Sequence, residues 1–235
     1  MGKGQFSFKQ FSIAQDRCAM KVGTDGVALG AWAPVTGVTR ILDIGTGTGL
    51  IALMLAQRSA ADCQIVAVEL DPGAAAQAAE NVASSPWSER IMVVTAAVQQ
   101  LDTEPFDLIV SNPPFFQHGQ TLPSAMRQQA RHTSSLSHEE LLEHGLRLLA
   151  PNGRIALVLP IAAAERIMLL AEQLGLGVEF AQRLIPTPQK EPNRFLLLLS
   201  RGNGRLFGND IVICSGDGSY SDIYSEMVRG FYLKL

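Results

Sequence analysis

The run Arg40-Ile41-Leu42-Asp43-Ile44 followed by Gly45-Thr46-Gly47-Thr48-Gly49 leaves this chain few folds to adopt. A short apolar strand pattern enters a turn with glycine at every second position, and a helical stretch from Leu50 to Arg58 follows. Glycine accepts left-handed backbone and carries no Cβ, so a ligand can approach such a turn closely. Strand, glycine turn and helix together make a mononucleotide cradle, the opening unit of a doubly wound sheet, with free amides expected to point into it. The dinucleotide fingerprint Gly-x-Gly-x-x-Gly is not met, because Leu50 stands where its last glycine would fall.

Alternation along the rest of the chain extends this unit. Strand patterns near 40–44, 64–69, 91–95, 106–111 and 153–159 alternate with helical stretches, which implies parallel strands joined by right-handed crossovers. Two further strand-like runs, Val178 to Pro186 and Phe195 to Ser200, would close the sheet as an antiparallel hairpin. The expected fold is therefore α/β: a doubly wound, Rossmann-like, seven-stranded and mostly parallel sheet with an antiparallel last strand. Ser137 and Glu140 have capping-box spacing ahead of a helix that should stop before Pro151-Asn152-Gly153.

In open sheets of this kind ligands bind at the carboxyl edge. Strands one, two and four end there on Gly45, Glu69 and Asn112, so three separate motifs should share one crevice. Glu69 is placed for the two hydroxyls of a ribose, whereas Asp71 with Pro72 reads as the N-cap and first residue of the next helix.

The fourth strand, Phe106 to Ser111, runs into Asn112-Pro113-Pro114-Phe115. Prolines fix φ and donate no hydrogen bond, so they hold an extended loop whose carbonyls remain acceptors. The Asn112 side chain and the Pro113 carbonyl suit an NH₂ group, and Phe115 offers a flat face on which a planar group could stack. A stiff Pro-Pro turn with a core phenylalanine is the plain structural alternative. The stretch between Asn112 and Ser137 has little periodicity, and Arg127, Arg131 and His132 within it could clamp a substrate.

Composition excludes several classes. The longest apolar run, Ile155 to Ala164, has ten residues and includes Pro160, against roughly 18 for a membrane span. Cys18, Cys63 and Cys214 stand apart, and the histidines His118, His132, His138 and His144 match no ligand spacing, so neither disulfides nor a metal are expected. With no signal-like apolar stretch near Met1, a cytoplasmic location is expected. The net charge of −3 is not that of a general nucleic-acid binder. Local basic segments could supply a surface: Arg183, Lys190, Arg194, Arg201 and Arg205 in one place, Lys3, Lys9, Arg17 and Lys21 in another.

The Asp43-x-Gly45-x-Gly47-x-Gly49 pattern resembles motif I of the class I S-adenosyl-L-methionine-dependent methyltransferases. Phe8-Lys9-Gln10-Phe11 through Thr24-Asp25-Gly26, the Asn112 to Phe115 site, Gly216 to Tyr224 and the closing Phe231-Tyr232-Leu233-Lys234 resemble the bacterial tRNA(Val) adenine-37 N6-methyltransferases. The resemblance covers nearly the whole chain. It implies S-adenosyl-L-methionine held by Asp43, Gly45, Gly47, Gly49 and Glu69, with Thr24 and Asp25 near its methionine end. Catalysis would fall to Asn112, Pro113 and Phe115, and tRNA to Pro114, Arg131, His132, Lys9 and Arg194. Related enzymes often place an acid after strand three for the cofactor adenine; here Thr95-Ala96-Ala97-Val98 leaves that contact to backbone, with Ala97 the candidate, or to a group elsewhere. One domain over 1–235 is implied, residues 1–36 covering substrate and cofactor and 37–235 forming the catalytic core, with a monomer favoured. Ribosomal RNA guanine-N2 methylation, protein-glutamine N5 methylation and a non-enzymatic cofactor-binding module stay open as alternatives.

Overall fold

The computed structural model describes residues 4–18, 20–113, 136–202, 204 and 206–235. Its elements in chain order are a hairpin of β1 (Gln5–Ser7) and β2 (Ser12–Ala14), α1 (Thr24–Trp32), β3 (Arg40–Ile44), α2 (Leu50–Arg58), β4 (Gln64–Glu69), α3 (Pro72–Ala83), β5 (Ile91–Thr95) and β6 (Phe106–Ser111). Then follow α4 (His138–Leu148), β7 (Leu149–Pro160), α5 (Ile161–Gln173), β8 (Gly177–Ile185), β9 (Arg194–Ser200), β10 (Leu206–Phe207), β11 (Ile211–Val212) and α6 (Asp222–Val228).

The central strands are apolar throughout because both faces of the sheet are covered. Alternate residues serve opposite cores: Ile41, Ile65 and Leu108 belong to the layer with α1, α2 and α6, and Leu42, Val66 and Ile109 to the layer with α4 and α5. Phe8, Phe11 and Ile13 carry the amino-terminal hairpin into the first of these cores.

The strands lie in the order β10-β8-β9-β7-β6-β3-β4-β5, with β11 also on β8. β3 pairs in parallel with β4 and β6, β4 with β5, and β6 with β7. β9 is antiparallel to both β7 and β8, as the sequence led one to expect. The chain leaves β3 toward β4 and β5 and returns to its other side with β6, so the topological switch point falls between β3 and β6. Register then sets the edge: Ile44 pairs with Val68 on one side and with Ser111 on the other. The next residues, Gly45, Glu69 and Asn112, are level.

Three features depart from the sequence expectation. The sheet gains β10 and β11, two residues each and parallel to β8, too short to show a period. The strand expected from 153 begins at Leu149, but its ladder with β6 breaks after Leu149 and resumes at Arg154, so Pro151-Asn152-Gly153 bulges out. Gly153 is required there, since a Cβ would stand 2.8 Å from the Phe106 carbonyl oxygen. Finally, residues 24–32 form a helix that the glycine-rich sequence did not announce. It is buried from Gly26 to Ala31 and has no amphipathic stripe to read.

That helix sits close to α2 because of Gly30, where an added Cβ would meet Met54 Sδ at 2.8 Å and Met54 Cβ at 2.9 Å. Gly30→Ala should therefore cost about 1–3 kcal/mol by overpacking. At Gly145 an added Cβ meets only the flexible Ile155 Cδ1 at 3.2 Å, so Gly145→Ala should be neutral or gain up to about 1 kcal/mol from helix propensity. Urea unfolding of the two variants checks the contrast.

Candidate active site

The glycine turn owes its shape to left-handed backbone: φ is 71° at Gly45, 56° at Gly47 and 81° at Gly49. An added Cβ at Gly45 or Gly47 would meet nothing within 4 Å, so that side of the turn is open, whereas one at Gly49 would stand 3.6 Å from the Ala78 backbone. The amides of the turn do not point into the crevice as expected. Gly45 and Thr46 both donate to the Val68 carbonyl (2.9 and 3.1 Å) and Gly49 donates to Thr46 (2.9 Å). Gly47 donates to Glu69 Oε2 at 2.9 Å. Four of the turn's five amides, all but that of Thr48, are thus engaged within the protein. What it offers a ligand is close approach and carbonyl oxygens.

Two carboxylates hold the turn. Asp43 is fully buried, and its Oδ2 accepts from Thr46 Oγ1 (2.6 Å) and the Ala52 amide (3.2 Å). Its Oδ1 is buried without a hydrogen-bond partner. Burial pushes its pKa up to about 7, against the lowering effect of the Thr46 and Ala52 hydrogen bonds. Glu69 is half-buried and bridges Gly47 to Asp71, whose amide donates to Oε1 at 3.0 Å. Asp71 in turn caps α3, accepting from the Ala74 amide at 2.8 Å with Pro72 at the first helical position. Asp71 thus caps α3 as the sequence suggested, and each Glu69 oxygen keeps a lone pair for a further donor.

Asn112 stands across the switch point. Ser111 Oγ donates to the Ile44 carbonyl at 2.8 Å, locking the end of β6 to the end of β3. A Cβ on Gly26 would come within 3.9 Å of Asn112 Nδ2, so α1 backs the side chain closely. Asn112 Oδ1 is buried and has no hydrogen-bond partner among the described residues. An orphaned buried acceptor carries a cost of about 1–3 kcal/mol, which a ligand NH₂ group would relieve. Pro113 is buried beside it. Pro114, Phe115, Arg127, Arg131 and His132 lie outside the described residues.

The remaining candidates are dispersed. Thr24 opens α1 and is exposed. Asp25 follows it and pairs with Arg194 at 2.7 Å, which joins two residues expected to serve cofactor and substrate separately. Ala97 precedes a short 3-10 turn and accepts from the Gln100 amide at 2.9 Å. Lys9 Nζ donates to the Arg229 carbonyl at 2.7 Å. Three of the nine residues in the expected basic segments are ion-paired among the described residues: Arg183 grips Asp210 with two hydrogen bonds, Arg194 holds Asp25 and Arg17 pairs with Glu80. Ser111, Thr46, Gln77 and Asn81 were not singled out from sequence. Gln77 and Asn81 did leave a trace, as amides four apart on an alanine-rich helix. Among the described residues no group of His, Cys, Asp and Glu is placed to hold a metal.

Residues 33–175 match the family model described as Methyltransferase small domain. A curated protein of Aeromonas hydrophila, the tRNA1(Val) (adenine(37)-N6)-methyltransferase, is 53% identical over all of both chains. The protein of the same name from Escherichia coli O157:H7 is 47% identical over 97% of this chain and 94% of its own. Among solved structures, a predicted O-methyltransferase from Agrobacterium tumefaciens overlays with a TM-score of 0.66 at 19% identity, covering 88% of this chain and 96% of that one. An O-methyltransferase from Bacillus cereus in complex with SAH gives 0.55 at 20% identity, covering 79% and 84%. At these identities the overlays speak to the fold alone.

The Asp43 carboxyl makes the site sensitive to pH. Burial raises its pKa in the folded protein to about 7, above the 3.8 of an exposed aspartate, so folding favours the protonated form. Its stabilising contribution is complete below about 3.8 and is lost as pH rises toward 7. Unfolding free energies of the wild-type protein and Asp43→Asn should therefore diverge in favour of the variant between pH 5 and 7, by up to about 1.4 kcal/mol per pH unit. A constant difference over that range would remove the buried, protonatable carboxyl.

Proposed function

The chain belongs to the tRNA1(Val) (adenine(37)-N6)-methyltransferase family, and on that premise we propose that Asn112 and Pro113 receive the target adenine at the switch point between β3 and β6. The protein is an S-adenosyl-L-methionine-dependent enzyme that methylates the N6 nitrogen of an adenine in tRNA. The fit of the cofactor is supported by three observations: the open side of Gly45 and Gly47, the Glu69 carboxylate at the end of β4, and the unpartnered Asp43 Oδ1 beneath the turn. Glu69 is assigned to the ribose hydroxyls, Asp43 and the turn to the amino acid end, and Thr24 and Asp25 to its flank. Backbone around Ala97 takes the adenine ring of the cofactor.

When bound, S-adenosyl-L-methionine supplies an electrophilic methyl group on a sulfonium. The N6 amine of adenine is a weak nucleophile because its lone pair is delocalised into the ring. Asn112 Oδ1 accepts one N6 hydrogen and the Pro113 carbonyl the other, which draws the nitrogen toward a pyramidal geometry and turns its lone pair to the methyl carbon. Held this way, the nitrogen would be ready to take the methyl group that the cofactor would supply, and the proton it then sheds would pass to solvent. Positioning and preorganised dipoles carry this step without a covalent enzyme intermediate. Phe115 is proposed to stack on the base, worth roughly 1–3 kcal/mol, and Pro114 to contact the substrate.

The single observation that carries this reading is the buried, unpartnered Asn112 Oδ1 level with the glycine turn and Glu69. An adenine beside the anticodon is unpaired, so it enters the crevice at lower cost than the few kcal/mol needed to extract a paired base. Arg131, His132, Lys9 and Arg194 are proposed to meet the RNA around it. Position 37 of tRNA1(Val) is the site named for the relatives and is proposed for this chain. One chain holds every motif, so a monomer acting on tRNA in the cytoplasm suffices, with residues 1–36 covering the catalytic core of 37–235. Among the described residues no helix is long and apolar enough to cross a membrane.

Mass spectrometry of nucleosides from purified valine tRNA, incubated with enzyme and labelled cofactor, tests both the substrate and the site. N6-methyladenosine at position 37 is expected from the wild-type protein. Asn112→Ala should lower its rate of formation by about 10² or more while the protein stays folded. N2-methylguanosine, or label found in protein alone, would overturn the substrate, and near-normal turnover by Asn112→Ala would overturn the site.

A further inference from the structure

Gln77 and Asn81 lie four residues apart and so share one face of α3. They are 1% and 5% exposed, and a buried amide is costly unless its donors and acceptors are met. Nearly all their partners are in the amino-terminal segment. Asn81 Oδ1 accepts from the Ala14 amide and Asn81 Nδ2 donates to the Ala14 carbonyl, both at 2.9 Å, as a neighbouring strand would. Gln77 Oε1 accepts from the Arg17 amide at 2.8 Å and its Nε2 donates to Asp16 Oδ1 at 2.9 Å. Asn81 Nδ2 also donates to the Thr48 carbonyl of the glycine turn at 2.8 Å. A single side chain thereby fixes both the segment and the turn.

We propose that Gln77 and Asn81 are positioning residues for the cofactor: they clasp Ala14 to Cys18 over the Glu69 side of the crevice, so that segment, glycine turn and α3 hold the bound ligand as one unit. The other end of α3 agrees, since its cap residue Asp71 donates its amide to Glu69. Cys18 also lies in the field of these acids. Burial, then the charges of Glu69 and Asp71, push its thiol up to about 11. Beyond Cys18 the segment is tied down again by the Val22 amide, which donates to Gln15 Oε1 at 2.7 Å. Neither amide reaches Asn112, so releasing the clasp should loosen cofactor without disarming the chemistry.

This rests on the crevice holding S-adenosyl-L-methionine, so the experiment begins with calorimetry of S-adenosylhomocysteine on the unaltered protein. Absence of binding there removes that reading and the clasp with it. Given binding, backbone amide exchange at Ala14 and Arg17 should slow about tenfold or more with ligand, because their acceptors are the two clasp side chains. Asn81→Ala and Gln77→Ala should each weaken the ligand about tenfold, the scale of one lost hydrogen bond of roughly 1.4 kcal/mol. Their KM for cofactor should rise in step, with kcat at saturating cofactor and KM for tRNA unchanged. Ligand-independent exchange at Ala14 and Arg17 overturns the proposal even if a variant fails to fold. Wild-type cofactor affinity in both folded variants overturns it as well.

Discussion

The site depends on the hydrogen-bond register at Ile44. Because that residue pairs in parallel with Val68 and with Ser111, the chain must leave three adjacent strands at one level, with Gly45, Glu69 and Asn112 next in line. A slip of one residue on either side would turn every alternate side chain to the opposite core layer, so the burial of both faces protects the register. Ser111 adds a local lock by donating to the Ile44 carbonyl at 2.8 Å. Catalytic geometry is thus a by-product of how an apolar sheet buries itself.

The turn built on that edge is satisfied internally. Four of its five amides are taken by Val68, Thr46 and Glu69, and Asp43 supports it from below with one oxygen engaged and the other orphaned. Asn112 carries a second orphaned acceptor across the switch point. Unmet acceptors in an otherwise well-bonded region mark where the protein holds polarity for a ligand. An ammonium and an NH₂ group would complement them, as the amino acid end of the proposed cofactor and an adenine would bring.

Much of this was legible in the sequence, and the reasons are specific. β3, β4, β5 and β6 appear at the expected residues because each is a short apolar run, and β3, β4 and β6 are closed by glycine, acid and Asn-Pro. The Ser137–Glu140 capping box was equally clear. α1 was not, since a helix buried from Gly26 to Ala31 has no polar face to set a period. Nor could the sequence place Asp25 against Arg194, a pairing across 169 positions that needs the antiparallel entry of β9. The same blindness to distance concealed that Arg183 and Arg17 are answered by Asp210 and Glu80. It also hid the amides of Gly45, Thr46 and Gly47, whose partners lie on the neighbouring strand β4.

A crystal structure of the protein with S-adenosylhomocysteine and the anticodon stem-loop of valine tRNA would test the central claim most directly. The account predicts the target adenine over the β3–β6 switch point, with its N6 within about 3.2 Å of Asn112 Oδ1 and the ribose of the cofactor product on Glu69. An adenine whose N6 points away from Asn112, or a cofactor product bound anywhere but at the edge that carries Gly45 and Glu69, would contradict it.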